Sequence, residues 1–238
     1  MSMLSFLYPP VCPLCQKEIL EKGQNLCKKC REKDIFLHEP LCFCCGKPLD
    51  HKEEEYCQDC RKHPKKFIRN IGLCVYEEPV KSSLSAVKYR NKREYAGFYI
   101  EEMKRRRGRQ LKSIHPDIIV PVPMHARKRR KRGFNQAEIF AAGIAEITGC
   151  PMEPRLVKRV HDTKPQKNLN PEQRKKNLSH AFQGEKEIYH RLGRPGRILI
   201  VDDIYTTGAT MQGVAQALLR MGAKEIYACC IAVGRGFS

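Results

Sequence analysis

From residue 71 onward, short apolar runs alternate with stretches whose apolar positions recur every three or four residues, the mark of strands interleaved with amphipathic helices. IGLCVYEEP (71–79) and DIIVPVP (117–123) read as strands, the second ending at Pro121 and Pro123. VKSSLSAVKYRN (80–91) and REYAGFYIEEMKRRRG (93–108) read as helices, and GFNQAEIFAAGIAEITG (133–149) as an amphipathic helix stopped by Gly149. RLVKRV (155–160) is a short strand, ILIVDD (198–203) a longer one, TMQGVAQALLRMG (210–222) a helix closed by Gly222, and EIYACCIAV (225–233) the last strand. A polar stretch, HDTKPQKNLNPEQRKKN (161–177), is too long for an idle connection. Strands alternating with helices predict an α/β fold, a mainly parallel sheet flanked by helices on both faces. In such sheets ligands bind beyond the carboxyl ends of the strands.

The first part of the chain breaks this pattern. Nine of the 13 cysteines lie within residues 12–60, and eight of them form the CxxC pairs Cys12/Cys15, Cys27/Cys30, Cys42/Cys45 and Cys57/Cys60. Both halves read CxxC, eleven residues, CxxC, offset by thirty positions, so one unit is duplicated. Two residues between thiolates let a tight turn present both sulfurs to one ion, and two such turns complete a closed tetrahedral site. Two structural zinc ions are expected, with Cys44 left over. The spacing leaves open whether the pairs combine sequentially or interleave. The polar, proline-containing KHPKKFIRN (62–70) marks the junction, giving a zinc-ribbon module over 1–66 and a larger domain over 67–238. Cys74, Cys150, Cys229 and Cys230 stand in apolar surroundings and read as small core residues.

Charge changes the picture next. The 238 residues carry 45 Lys and Arg against 26 Asp and Glu. Residues 1–65 hold 11 basic and 10 acidic side chains, so the excess belongs to the larger domain and predicts an anionic partner. Two runs concentrate it: Arg127, Lys128, Arg129, Arg130, Lys131 and Arg132, and the helix-ending KRRRGR (104–109) with Arg105, Arg106 and Arg107. Each run is a candidate single-stranded DNA surface or a solvated face, and a helix C-terminus favours positive charge on its own account. Tyr89, Tyr95, Phe98 and Phe134 lie nearby and fit base stacking or the core. No apolar run reaches the roughly 20 residues of a membrane span, and the start reads as lacking a secretion leader, so a cytoplasmic protein is expected.

The most specific chemistry lies in RILIVDDIYTTGAT (197–210). An apolar strand delivers Asp202 and Asp203, and a turn of Thr206, Thr207, Gly208, Ala209 and Thr210 leads into a helix whose N-terminus favours an anion. Adjacent carboxylates beside an anion site repel unless they bind hydroxyls or a hard cation such as Mg²⁺, so sugar hydroxyls, magnesium and a phosphate together describe a ribose 5-phosphate. This stretch resembles the phosphoribosyl pyrophosphate motif of type I phosphoribosyltransferases. By that resemblance Asp202 and Asp203 hold ribose hydroxyls and magnesium, residues 206–210 hold the 5-phosphate, and Pro123, Met124 and His125 occupy the pyrophosphate loop. The polar stretch 161–178 matches the mobile hood, from which Gln166 and Arg174 reach inward. Thr206 stands where purine-salvage members carry an acidic base, which argues against purine salvage.

The CxxC pairs, LSAVKYRNKREYA, PVPMHARKRRKRGFNQAE and the phosphoribosyl motif together resemble the ComF family of competence proteins across nearly the whole chain. That resemblance implies natural transformation, uptake of single-stranded DNA, and a ComFA-like DNA helicase as partner. Two other functions fit the same residues: a transferase acting on an unidentified acceptor, and a zinc-dependent helicase adaptor with a non-catalytic phosphoribosyl pocket.

Overall fold

The structure is a computed structural model that describes residues 9–160 and 181–235. Its centre is a four-stranded parallel sheet: β1 (Asn70–Val75), β2 (Ile118–Pro121), β5 (Arg197–Tyr205) and β6 (Glu225–Val233), in the order β1-β6-β5-β2. Every pairing is parallel, with Val120 opposite Ile200, Val201 opposite Cys229, and Ile71 also opposite Cys229. The near-continuous apolar sequences of β5 and β6 follow from this, since both are interior strands covered on two faces. A small antiparallel pair, β3 (Val157–Arg159) and β4 (Phe182–Gly184), stands apart from the sheet. The hood stretch, with Gln166 and Arg174, lies between these two strands and outside the described residues.

Alternating residues of each strand feed two cores. Leu199, Val201, Cys229 and Ile231 point to the face covered by α4 (Tyr95–Ser113) and α6 (Gln136–Thr148), where Tyr99, Met103, Phe140 and Ile144 are fully buried. Ile198, Ile200, Ala228 and Cys230 point to the other face, under Met211, Val214, Ala215 and Leu218 of α8 (Ala209–Met221). The shorter helices are α1 (Lys28–Arg31), α2 (Gln58–Lys62), α3 (Val80–Tyr89), α5 (Ala126–Arg132) and α7 (Lys186–Arg191). Glycines close α6 and α8: Gly149 (φ 73°) and Gly222 (φ 111°) adopt the left-handed cap foreseen from the sequence.

The cysteines combine sequentially. The Sγ atoms of Cys12, Cys15, Cys27 and Cys30 lie within 4.8 Å of one another, as do those of Cys42, Cys45, Cys57 and Cys60. Four convergent thiols in each set fit structural zinc, and the interleaved arrangement drops out. The two ribbon halves straddle the open edge of the sheet. Cys12, Leu14, Cys27 and Cys30 join the first core, whereas Cys42, Cys45, Cys60 and Leu37 join the second. Between them, residues 35–37 run antiparallel to β1: Leu37 N donates to Leu73 O (2.9 Å) and Val75 N to Ile35 O (2.9 Å). The edge strand that would otherwise invite another chain is thereby covered.

The second basic run sits elsewhere than its sequence suggests. The helix does not end at KRRRGR; α4 continues to Ser113, so residues 104–109 are interior to it and the C-terminal dipole does not explain their charge. Arg107 donates to Leu37 O (2.8 Å) and Gly72 O (3.1 Å), and Arg106 lies 3.4 Å over the Phe36 ring. Arg105 and Arg106 both pair with Glu102. Arg106 and Arg107 thus fasten α4 to the segment between the ribbon halves.

Candidate functional site

Asp202 and Asp203 lie within β5, which runs two residues past them to Tyr205. Both are buried, at 8% and 4% exposure, an unusual state for acids and one that demands partners. Asp203 N donates to Asp202 Oδ1 (2.9 Å), Gln136 Nε2 approaches Asp203 Oδ1 (3.5 Å), and Lys88 Nζ of α3 forms an ion pair with Asp203 Oδ2. Burial, and then the neighbouring charge of Asp203, pushes the Asp202 carboxyl well above the usual carboxylate range. Burial works against the Lys88 ammonium, but attraction to Asp203 and Asp202 outweighs it and raises its pKa.

After Tyr205 the chain turns through exposed Thr206 and Thr207 to Gly208, the N-cap of α8, at φ 75°. No side chain caps this helix in the usual sense; Thr207 Oγ1 approaches Ala209 N only at 3.5 Å. Glycine is required twice over at position 208. Its φ is left-handed, and a Cβ there would stand 2.6 and 2.7 Å from Cζ and Cε2 of Tyr205, with the hydroxyl closer still. The Tyr205 ring underlies the turn and meets Phe67 edge-on at 6.2 Å. Burial above all, and then the neighbouring Cys45, Cys60 and Cys44, raises its phenol pKa, and the ring shares a core cluster with Cys42, Cys45 and Cys60 of the second ribbon half.

A second loop converges on the acids from β2. Pro123 is buried while Met124 and His125 are partly exposed, and His125 Nδ1 caps α5 by accepting from Arg127 N (3.3 Å). Asn135 fixes the far end: its Nδ2 donates to Val122 O (3.0 Å) and its Oδ1 accepts from Ala137 N (3.2 Å), setting Gln136 at the start of α6. None of the α5 residues is buried. Arg129 pairs with Glu138 (Nη2 to Oε2, 3.1 Å), and Arg132 bonds Gln136 while its guanidinium lies 4.9 Å from the Tyr89 ring. Arg127, Arg130 and Lys131 have no ion-pair partner among the described residues. Of the four aromatics near the basic runs, Tyr95, Phe98 and Phe134 are core, and Tyr89 is 74% exposed.

The structure thus brings together the acid pair, the turn 206–210 and the loop 123–125, with α5 at the rim, and leaves Arg106 and Arg107 tied to the segment between the ribbon halves and Arg105 paired with Glu102. Sequence reasoning missed Lys88, Gln136 and Tyr205. The signal for Lys88 was slight: a lysine directly after buried Val87 in an otherwise amphipathic helix. Among the described residues no helix is long and apolar enough to cross a membrane.

Comparison with known proteins agrees with this architecture. The double zinc ribbon domain family matches residues 3–61, and the phosphoribosyl transferase domain family matches residues 100–236. The DNA utilization protein YhgH of Salmonella typhimurium is 31% identical over 175 residues, covering 71% of this chain and 73% of that one. Competence protein F of Haemophilus influenzae is 31% identical over 159 residues (63% and 66% covered), and competence protein ComFC of Bacillus subtilis 27% identical over 157 (65% and 59%). The chain belongs to the ComF family, that of ComFC, competence protein F and YhgH, and joins a phosphoribosyl transferase domain to a double zinc ribbon.

Proposed function

We propose that this chain is a cytoplasmic DNA-uptake protein that binds phosphoribosyl pyrophosphate with magnesium at the end of β5 and handles incoming single-stranded DNA along α5. The observation that carries this reading is the buried acid pair on the same strand end as a helix N-terminus opened by Gly208. Carboxylates accept hydrogen bonds from a ribose diol. The amides that begin α8, with the hydroxyls of Thr206, Thr207 and Thr210, donate to a terminal phosphate, and the helix dipole favours it. Asp202 and Asp203 form an all-oxygen set, crowded enough that one carboxyl is driven toward protonation, which fits a hard divalent ion. That ion supplies neutralisation of the pyrophosphate group. The loop 123–125 orients the pyrophosphate end.

For the DNA arm, the support is the exposed helix whose Arg127, Arg130 and Lys131 have no ion-pair partner among the described residues, beside exposed Tyr89, a positive track with one stacking surface. The relatives are named for DNA utilization and competence, and a ComFA-like DNA helicase is the partner this reading assigns. Calorimetric titration with phosphoribosyl pyrophosphate and magnesium, and with an oligonucleotide, each in the presence of the other, tests the whole, because any coupling must be reciprocal. Asp202→Asn with Asp203→Asn should abolish the magnesium-dependent heat while zinc content stays at the wild-type level; unchanged binding would refute the site.

A further inference from the structure

Among the described residues Lys88 is the one cation in contact with the acid pair, and the sequence reading gave it no role. It projects from α3, whose Leu84 and Val87 are buried, and its side chain is 17% exposed where it meets Asp203, itself at 5%. An ammonium against one of two adjacent carboxylates offsets one negative charge and occupies Asp203 Oδ2, an oxygen that would otherwise be open to a divalent ion held by these residues. A free ion entering the ligand-free site must therefore separate a largely buried ion pair and leave the ammonium without an anion. A ligand bearing pyrophosphate removes that obstacle, because it brings the ammonium a new partner. Lysine suits such an exchange: its charge is compact and its four-carbon stem can swing, whereas a guanidinium fork would lock onto the carboxylate. Asp203 keeps its shape meanwhile through Gln136, which Arg132 holds in turn.

We propose that Lys88 is the resident counter-cation of the acid pair, excluding the free divalent ion from the empty site and moving onto the ligand's pyrophosphate when ligand and ion enter together. The inference rests on the reading of the site given above, and it makes metal binding conditional on the ligand.

The test uses Mn²⁺ as the probe on zinc-loaded protein, with the free-ion signal read by electron paramagnetic resonance, first without ligand and then with phosphoribosyl pyrophosphate. Wild type should take up the ion weakly alone and strongly with the ligand. Lys88→Met should bind the ion alone about tenfold more tightly, the lower range of ordinary coupling between sites. Lys88→Arg, which keeps the charge at the carboxylate, should exclude the free ion as wild type does. Lys88→Gln, with a similar stem and a neutral polar end, is expected to match Lys88→Met and serves if that variant does not fold. Ligand-free affinity in the neutral variants within twofold of wild type overturns the proposal, as does tight binding of the free ion by wild type. The ligand-free arm is independent of phosphoribosyl pyrophosphate: if neutral variants gain the ion while no protein takes the ligand, Lys88 keeps its role and the assignment of the ligand falls.

Discussion

Replacing Gly208 by alanine separates the two demands made on the turn 206–210, because Gly149 provides a matched control. Both glycines have nearly the same backbone, φ 75° and 73°, but a Cβ at 149 meets nothing within 4 Å whereas one at 208 runs into the Tyr205 ring. Gly149→Ala should therefore cost only the left-handed backbone, about 1–2 kcal/mol. Gly208→Ala carries the same backbone term plus displacement of a ring that is 1% exposed and wedged between the turn and the second ribbon half. Overpacking of that kind adds about 1–3 kcal/mol. For a chain of 238 residues the difference between the two variants corresponds to roughly 2–12 °C in thermal midpoint. Urea unfolding of zinc-saturated protein measures it, and calorimetry with phosphoribosyl pyrophosphate measures the consequence. Gly149→Ala should bind as wild type does, and Gly208→Ala should lose affinity because Tyr205 can yield only by pushing on the turn. Equal destabilisation of the two variants, within about 0.5 kcal/mol, would show that Tyr205 does not support the turn and would refute the reasoning.

The remaining expectations are briefer. Metal analysis should give two zinc per chain, and chelation should disturb the sheet as well as the ribbon, since cysteines of both sets lie in the two cores; an unchanged near-ultraviolet spectrum after zinc removal contradicts this. Asn70→Ala removes the donor to Cys45 O (2.9 Å) in a buried setting and should cost about 1–3 kcal/mol by urea unfolding. Neutralising Arg127, Arg130 and Lys131 together should reduce the slope of log affinity against log salt for a single strand by about 2, from the ~0.7 released counterions per contact. The same change at Arg105, Arg106 and Arg107 should instead lower stability, because Arg106 and Arg107 hold the segment 35–37.

Elements whose signal is local were legible in the sequence. The strands at 198–203 and 225–233 announce themselves by unbroken apolar runs, the helices at 136–148 and 209–221 by periodicity and their closing glycines, and the thiol sets by spacing alone. Two kinds of feature were not legible. Pairing of the CxxC units depends on which turns the intervening residues bring together, a tertiary outcome on which identical spacings are silent. Partners distant in sequence were equally hidden: nothing in KRRRGR distinguishes Arg107, bonded to Leu37 O, from a solvated arginine, and nothing in AVKYR reveals that Lys88 reaches Asp203. The misplaced end of α4 has a simple cause. Gly108 resembles a stop, but in the folded chain it is buried inside α4 at ordinary contact distance from Ile147 of α6, and packing against the core carries the helix past it to Ser113.

The ribbon is also more than an appendage joined by a linker. Asn70 opens β1, and its backbone N donates to Cys44 O (2.7 Å) while its side chain bonds Cys45 O, so the first residue of the sheet is fastened to the second thiol set. Gly46 must lack a side chain there, since its Cβ would stand 2.8 Å from Asn70 O. Lys66 N donates to Gln212 Oε1 (2.6 Å) in the first turn of α8, and Phe67 abuts Tyr205 beneath Gly208. Three contacts thus run from the Cys42–Cys60 half and the junction after it to the strand start, the helix start and the turn of the candidate site. A metal that organises those four thiols also sets the floor on which the turn 206–208 rests. The second thiol set and the turn 206–208 are joined through Asn70, Lys66 and Phe67, so loss of an ion from that set is expected to perturb the turn.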